Sequence, residues 1–301
     1  GTGLQYTSSV QGLIGDPLLE FFGSEEHSFH GMGREDIDVR CLGRGRPFVI
    51  EFKNPEKRDI DCDVMMDIIN KASDGKLEVN SMRPSNRSEV VRIKDTPAEK
   101  SYTIRYKIEP ISQDELDELT QVLEVPKDNR QRNSRRKKYY SNQEKKQPEK
   151  EETVDYSSMK KAELVAICEE KGLAKSGTKD VLIQRITESS EAKLPLPSEE
   201  YVMEIMEKLQ GCTLAQRTPE RVAHRRADKI RKRMVMETSN PSIQSSEDDL
   251  IIAEFSLRCE SGTYVKETVH GDGGRTQPSI ASLIKAKCTV EWLDVADIHA
   301  D

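Results

Sequence analysis

Residues 33–40 read GREDIDVR and set Glu35, Asp36 and Asp38 beside Arg34 and Arg40, with Arg44 and Arg46 close behind. A carboxylate flanked by arginines is favoured in its ionised form, because opposite charge stabilises the anion. An ionised aspartate can attack as a nucleophile, accept a proton or ligate a metal. A metal site would need more clustered carboxylates or histidines than this stretch holds. On the residues alone, a surface ion-pair network explains the pattern at least as well, and such pairs are worth ~0–1 kcal/mol. His27 and His30, in HSFH, have no Cys or second His pair nearby and read as ordinary polar residues near a strand entrance. The six cysteines (Cys41, Cys62, Cys168, Cys212, Cys259, Cys288) form no C-x-x-C pair, which argues against a zinc ribbon or a disulfide framework and for reduced thiols. HGDGGRT is glycine-rich but lacks the strand–turn–helix setting of a dinucleotide loop, so Gly271 to Arg275 reads as a tight turn.

The elements that must position these residues are legible in part. SVQGLIGDPLLEFF has helical periodicity that stops at Gly23. IDVRCLG and PFVIEF read as two strands joined by a Gly/Arg turn, DIDCDVMMDIINKA as a helix, and EVVRIK and SYTIRYKI as strands. SQDELDELTQVLEV is a helix in which Ser112 and Glu115 form a capping box. After residue 196, PLPSEEYVMEIMEKL predicts a helix following Ser198. DLIIAEFSLRCESGTYVKETVHG predicts a long strand pair, and a last helix starts from Pro278. Strands and helices alternate without regular βαβ spacing, so an α+β fold is expected.

Composition divides the chain. Of 301 residues, 34% are charged and 5% aromatic, too polar for one core throughout. The start GTGLQY, without Met, suggests a fragment or processed product. No apolar run is long enough to span a bilayer. The net charge is -7, yet basic residues bunch: 127–146 carries nine Lys/Arg against two acids, and 213–233 carries eight against two. Local charge rather than the total attracts phosphates, so nucleic acid is a candidate partner; a solvated face is the plain alternative. From 127 to 156 almost no aliphatic residue occurs, which predicts a disordered basic linker. Its RRKK run (Arg135 to Lys138) reads as an import signal or an RNA-contacting tail, a weak motif.

Beyond it, SSMKKAELVAICEEKGLAKSGTKDVLIQRITE predicts two amphipathic helices around a turn. Gly172, Leu173, Ser176, Gly177, Lys179, Leu182 and Arg185 carry a GL..SG.K..L..R signature that resembles the SAP domain, a small helix-extended-helix nucleic-acid-binding module. A helical hairpin that merely fills a linker is the competing account. The resemblance implies DNA or other RNA as a ligand.

A wider resemblance rests on three long stretches in order: GREDIDVRCLGRGRPF, QRTPERVAHRRADKIRKR (Gln216 to Arg233) and SGTYVKETVHGDGGRTQPSIASLI (Ser261 to Ile284). They are similar to motifs of the tenth Pus family, the archaeal and eukaryotic tRNA pseudouridine synthases that act on T-arm uridines, at positions 54 and/or 55. The resemblance implies a pseudouridine synthase-type mixed or antiparallel sheet with flanking helices and a central cleft. It covers about residues 8–126 and 197–297 of an expected catalytic domain in two parts, 1–126 and 197–301, interrupted by the linker 127–156 and the SAP-like module 157–190. It implies an isomerase that needs tRNA and one aspartate, and no cofactor, metal or membrane. Asp36 matches that aspartate and would either attack the ribose anomeric carbon or remove the 2′ proton; Asp38 ranks as structural. Tyr102, in KSYTIRY, would stack on the uracil and assist proton loss from C5, with strand packing as the alternative. Lys266, in GTYVK, would be the basic partner of the aspartate. Arg34 and Arg40 would contact phosphate or the space of the extruded base, and Arg221, His224, Arg225 and Arg226 would contact tRNA phosphates. The family's amino-terminal RNA-binding domain, with its cysteine metal motif, has no counterpart in the sequence. Placement in the nucleus and/or cytoplasm is expected. The alternative is a non-catalytic RNA- or chromatin-binding protein that uses this scaffold and the SAP-like module.

Overall fold

The computed structural model describes residues 8–124 and 156–300. The basic linker, apart from Tyr156, and its RRKK run therefore lie outside the described residues. Two compact units share the chain: Gly1–Thr103 with Arg258–Ser261 and Trp292–Asp301, and Ile104–Leu257 with Gly262–Glu291.

In the first unit, Ser9 opens α1 (Val10–Phe22) by accepting from the Gly12 amide at 3.1 Å, and Gly23 closes it at φ 60°, where a Cβ would be strained. Helix α2 (Cys62–Ala72) packs on α1, and Ile14, Leu18, Phe22, Met65, Ile69 and Val79 form one apolar cluster. Each such side chain contributes about 1.5–3 kcal/mol on burial. Strand β1 (Glu26–Gly31) pairs antiparallel with β3 (Phe48–Lys53), from Glu26↔Lys53 to Gly31↔Phe48. His27 and His30 thus lie within β1, His27 next to its first residue. The short β2 (Val39–Arg40) instead runs parallel to Leu293–Asp294 of β9 (Lys287–His299). The two strands expected to pair across the Gly/Arg turn therefore have different partners. EVVRIK, expected as a strand, lies in helix α3 (Arg87–Asp95). Asn86 caps it, accepting from the amides of Ser88 at 2.9 Å and Glu89 at 3.3 Å, and this local capping overrides the β-branched residues.

Strand β4 (Glu99–Glu109) alternates strictly: Lys100, Tyr102, Ile104, Tyr106 and Ile108 are buried, and their neighbours are half-buried. In the second unit, α4 (Gln113–Thr120) carries the expected capping box, and Ser198 caps α7 (Glu199–Lys208). Between them lie α5 (Lys161–Glu170) and α6 (Lys179–Glu191), which enclose a small core of Leu164, Cys168, Leu182 and Ile186. Strand β5 (Thr213–Arg217), α8 (Glu220–Ala223), β6 (Ile230–Glu247) and β7 (Leu250–Cys259) follow. The strand expected after β7 is instead α9 (Val265–His270), closed by Gly271 at φ 82°. Then come β8 (Thr276–Gln277), α10 (Ile280–Ile284) and β9, a final strand not anticipated from the sequence. The sheet order is β2-β9-β4-β7-β6-β5-β8, with parallel and antiparallel pairs. With helices around such a mixed sheet, the fold is α+β, as expected.

Candidate active site

Residues 32–47 form a loop closed at its base, where the Met32 amide donates to the Pro47 carbonyl at 3.0 Å. The Val39 amide donates to the Asp36 carbonyl at 3.1 Å, turning the chain at Ile37–Asp38. The far side is fixed to β9. The Leu42 amide donates to Asp294 Oδ1 at 2.8 Å and the Arg44 amide to the Ala296 carbonyl at 3.1 Å. Asp36 is half-buried on this loop, whereas Arg34, Ile37, Asp38 and Arg40 are exposed. The Arg40 guanidinium sits 5.3 Å over the Trp292 ring, a cation–π contact that gives it a fixed direction.

Glu35 gathers three side chains on one oxygen. Lys100 Nζ donates to Glu35 Oε1, Arg46 Nη2 reaches the same oxygen at 3.3 Å, and the Tyr102 hydroxyl donates to it at 3.4 Å. Arg46 also donates through Nη1 to the Met32 carbonyl at 2.8 Å. Gly33 stands at φ 76°, and a Cβ there would come within 2.9 Å of Lys100 Nζ and 3.3 Å of Arg46 Nη1. Glycine therefore supplies both the left-handed turn and the room for the two cations. Tyr102 is 3% exposed, and burial, reinforced by the Glu35 carboxylate, pushes its phenol well above the ordinary tyrosine range. It stays protonated at any physiological pH. Glu35 is the glutamate of GRED but is not singled out by the sequence from Asp36 and Asp38, and Lys100 stands in no motif, but the β4 alternation puts Lys100 in phase with Tyr102 and Ile104. An inward lysine must find a carboxylate, and that was the available signal.

Lys266 belongs to the second unit, on α9. Its neighbours are fixed from both sides. The buried Gln216 side chain accepts from the Tyr264 amide at 2.9 Å and donates to the Tyr264 carbonyl at 2.9 Å. On the other side Glu267, fully buried, accepts from Arg221 Nε at 2.6 Å and Nη2 at 3.3 Å. The Arg221 guanidinium is thus committed to a buried carboxylate, while His224, Arg225 and Arg226 are exposed just beyond α8. Asp228 is held below the usual carboxylate range, first by its hydrogen bonds from Arg217, at 2.7 and 3.1 Å. The turn expected at Gly271 to Arg275 is present, with Gly271, Gly273 and Gly274 all at positive φ.

In the α5–α6 hairpin the signature residues build the turn. Gly172 ends α5 at φ 66° and Leu173 packs on the small core. Gly177 is at φ 144°, beside the exposed Ser176. Lys179 Nζ donates to the Ser157 carbonyl at 2.7 Å. Arg185 Nη1 donates to the Ala174 carbonyl and, at 3.1 Å, to that of Ser176.

The family model described as Pus10, C-terminal, matches residues 2–138 and 122–299. Curated relatives named tRNA pseudouridine synthase Pus10 align over nearly the whole chain. That of Methanothrix thermoacetophila is 31% identical over 99% of this chain and 46% of its own. That of Thermofilum pendens is 30% identical over 98% and 47%, and that of Methanosphaera stadtmanae 32% identical over 99% and 51%. The chain spans about half the length of these relatives. With a family model matching most of its residues, from the GRED loop through the α9 segment, the chain belongs to the Pus10 family and corresponds to its C-terminal part.

Proposed function

We propose that this chain is the catalytic part of a tRNA pseudouridine synthase that isomerises uridine in the T-arm, at position 54 and/or 55. The observation that carries the reading is the kinship over nearly all of the chain, joined to a GRED loop held against Tyr102 through Glu35. In the reaction the C1′–N1 bond breaks, the uracil turns, C1′ bonds to C5, and the C5 proton leaves while N1 gains one. Asp36 is the carboxylate that starts it, by attack at C1′ or by taking the 2′ proton. The base must first leave its stack, at a cost of a few kcal/mol. Arg34 and Arg40 flank Asp36 in sequence and serve phosphate or the vacated space. Tyr102 stacks on the uracil and assists proton loss from C5. Lys266, on α9 of the second unit, is the basic residue that the family resemblance pairs with the aspartate, and His224, Arg225 and Arg226 bind tRNA phosphates. The α5–α6 hairpin serves as an accessory SAP-like nucleic-acid-binding module, toward tRNA outside the T-arm, other RNA or DNA.

The test incubates the full-length protein, wild type and Asp36→Ala, with unmodified tRNA transcript and maps pseudouridine chemically. Modification by wild type alone is expected, with Asp36→Ala at least ~10³-fold slower, the scale on which a catalytic group is lost. Binding by both proteins with modification by neither would replace this reading with the non-catalytic scaffold.

A further inference from the structure

Asp36 sits on a loop, and a loop carboxylate can act on a sugar only if its backbone is held. Loops are held less precisely than helices or strands unless side chains tie them down. We infer that Glu35 is the positioning residue of this site: its carboxylate, bound by Lys100, Arg46 and Tyr102, fixes the backbone from which Asp36 acts. The inference rests on the function proposed above.

Three observations carry it. The first is the donor set. One carboxylate, whose side chain is 20% exposed, meets a lysine at 10% and an arginine at 18%. Pairs this far out of water are screened much less than exposed ones. Removing one partner strands the rest, because Lys100 sits at an inward position of β4. The second is where the ties lead. Lys100 and Tyr102 belong to β4, and Arg46 returns to the base of the loop at Met32. Glu35 therefore joins the turn-bearing stretch 33–39 to a strand and to its own base at one point. Asp36 is one planar peptide away, so only the dihedrals on either side of that peptide separate it from the anchor. The third is Gly33, whose missing Cβ lets Lys100 and Arg46 close on the loop.

The same carboxylate also links the two proposed site residues of this unit. It is covalently next to Asp36 and accepts the hydrogen bond of Tyr102. A shift of Glu35 moves both, which is how a residue that touches no substrate can govern the rate.

The test uses Glu35→Gln, Lys100→Met and the double variant in the full-length protein. Three quantities are read: the single-turnover rate on tRNA transcript, the tRNA Kd, and amide hydrogen exchange. Misplacing a catalytic group by about 1 Å costs ~10²-fold, so each single variant should slow the chemical step by about that factor. The Kd should stay within about twofold, and the double variant should be no slower than either single one, as expected of groups acting as one unit. Exchange should quicken at the amides of 33–39 and stay unchanged elsewhere. An unchanged rate, a Kd that weakens as much as the rate falls, or a loss restored in full by cooling would overturn the inference. If wild type makes no pseudouridine, the proposed function fails by itself, and hydrogen exchange then decides the anchor. Faster exchange confined to 33–39 would uphold Glu35 as the tie, and unchanged exchange would overturn it.

Discussion

Arg221→Ala asks whether that guanidinium serves the fold or the RNA. Its sequence setting, ERVAHRR, groups it with Arg225 and Arg226 as a phosphate contact, yet the structure bonds it twice to a carboxylate with no exposure at all. Removing one partner of a buried pair costs about 3–5 kcal/mol, since the other charge is left without compensation. The Arg221 side chain is 37% exposed, so water can reach the vacated side and soften the loss. The expected destabilisation is therefore at the lower end, about 3 kcal/mol. For a unit of this size it should lower Tm by about 6–12 °C. Urea unfolding at constant m gives the value directly. Arg225→Ala and Arg226→Ala, both exposed, should stay within about 0.5 kcal/mol of wild type. If these arginines bind tRNA phosphates as proposed, the two variants should instead reduce the salt dependence of tRNA binding, by about one unit of slope each. The double variant Arg221→Met/Glu267→Gln should recover most of the loss, because it removes both charges together. An Arg221→Ala protein as stable as Arg225→Ala, with a reduced salt slope, would refute the reasoning and return Arg221 to the RNA-contacting set.

Tyr106 is fully buried beside Phe255, and its hydroxyl has no hydrogen-bond partner among the described residues. Tyr106→Phe should therefore stabilise the protein by about 1 kcal/mol in urea unfolding, and a loss of that size would sink the account. His270 is held below the usual histidine range, first by burial and then by the nearby Arg221 and Lys266, while Glu267 and Asp272 oppose the shift. The Asp272 amide donates to His270 Nδ1 at 3.1 Å, which also requires the neutral ring. A histidine whose folded pKa is depressed contributes stability that is present above its unfolded value, about 6.5. That contribution is lost as pH falls through the lower folded value. His270→Asn should thus flatten the fall of unfolding free energy between pH 7 and pH 5; a slope equal to wild type would contradict the assignment.

How much of this was legible in the sequence depends on the range of the interaction. Helices α1, α2, α4, α6 and α7 carry their own signals, an apolar spacing and a capping residue within a few positions, and all start where those signals place them, although α4 ends at Thr120, short of the expected stretch to Val125. The β4 run announces itself by alternation. Where a short apolar run had to be assigned without such a signal, the reading failed. EVVRIK carries β-branched residues, but Asn86 and Glu89 started a helix. GTYVKETVHG reads as a strand but coils into α9, whose neighbouring backbone at Tyr264 is held by Gln216, 48 residues earlier. Strand partners were equally hidden, since β2 pairs with β9 across some 250 residues.

The site divides the same way. From its residues alone the chain determined that a carboxylate lies among arginines at GRED, that Tyr102 lies on a strand, and that a basic segment follows α7. Those are facts of local order and survive any folding. Only the tertiary structure decided which acid gathers the cations and which cations are taken. Glu35 receives Lys100 and Tyr102 because β4 delivers them to its Oε1, and Arg46, from the base of the same loop, reaches that oxygen as well. Arg221 is drawn from the basic group because α9 buries Glu267 within its reach. A buried charge selects its partner by proximity in space, and that proximity is written by the packing of strands and helices, not by their order along the chain.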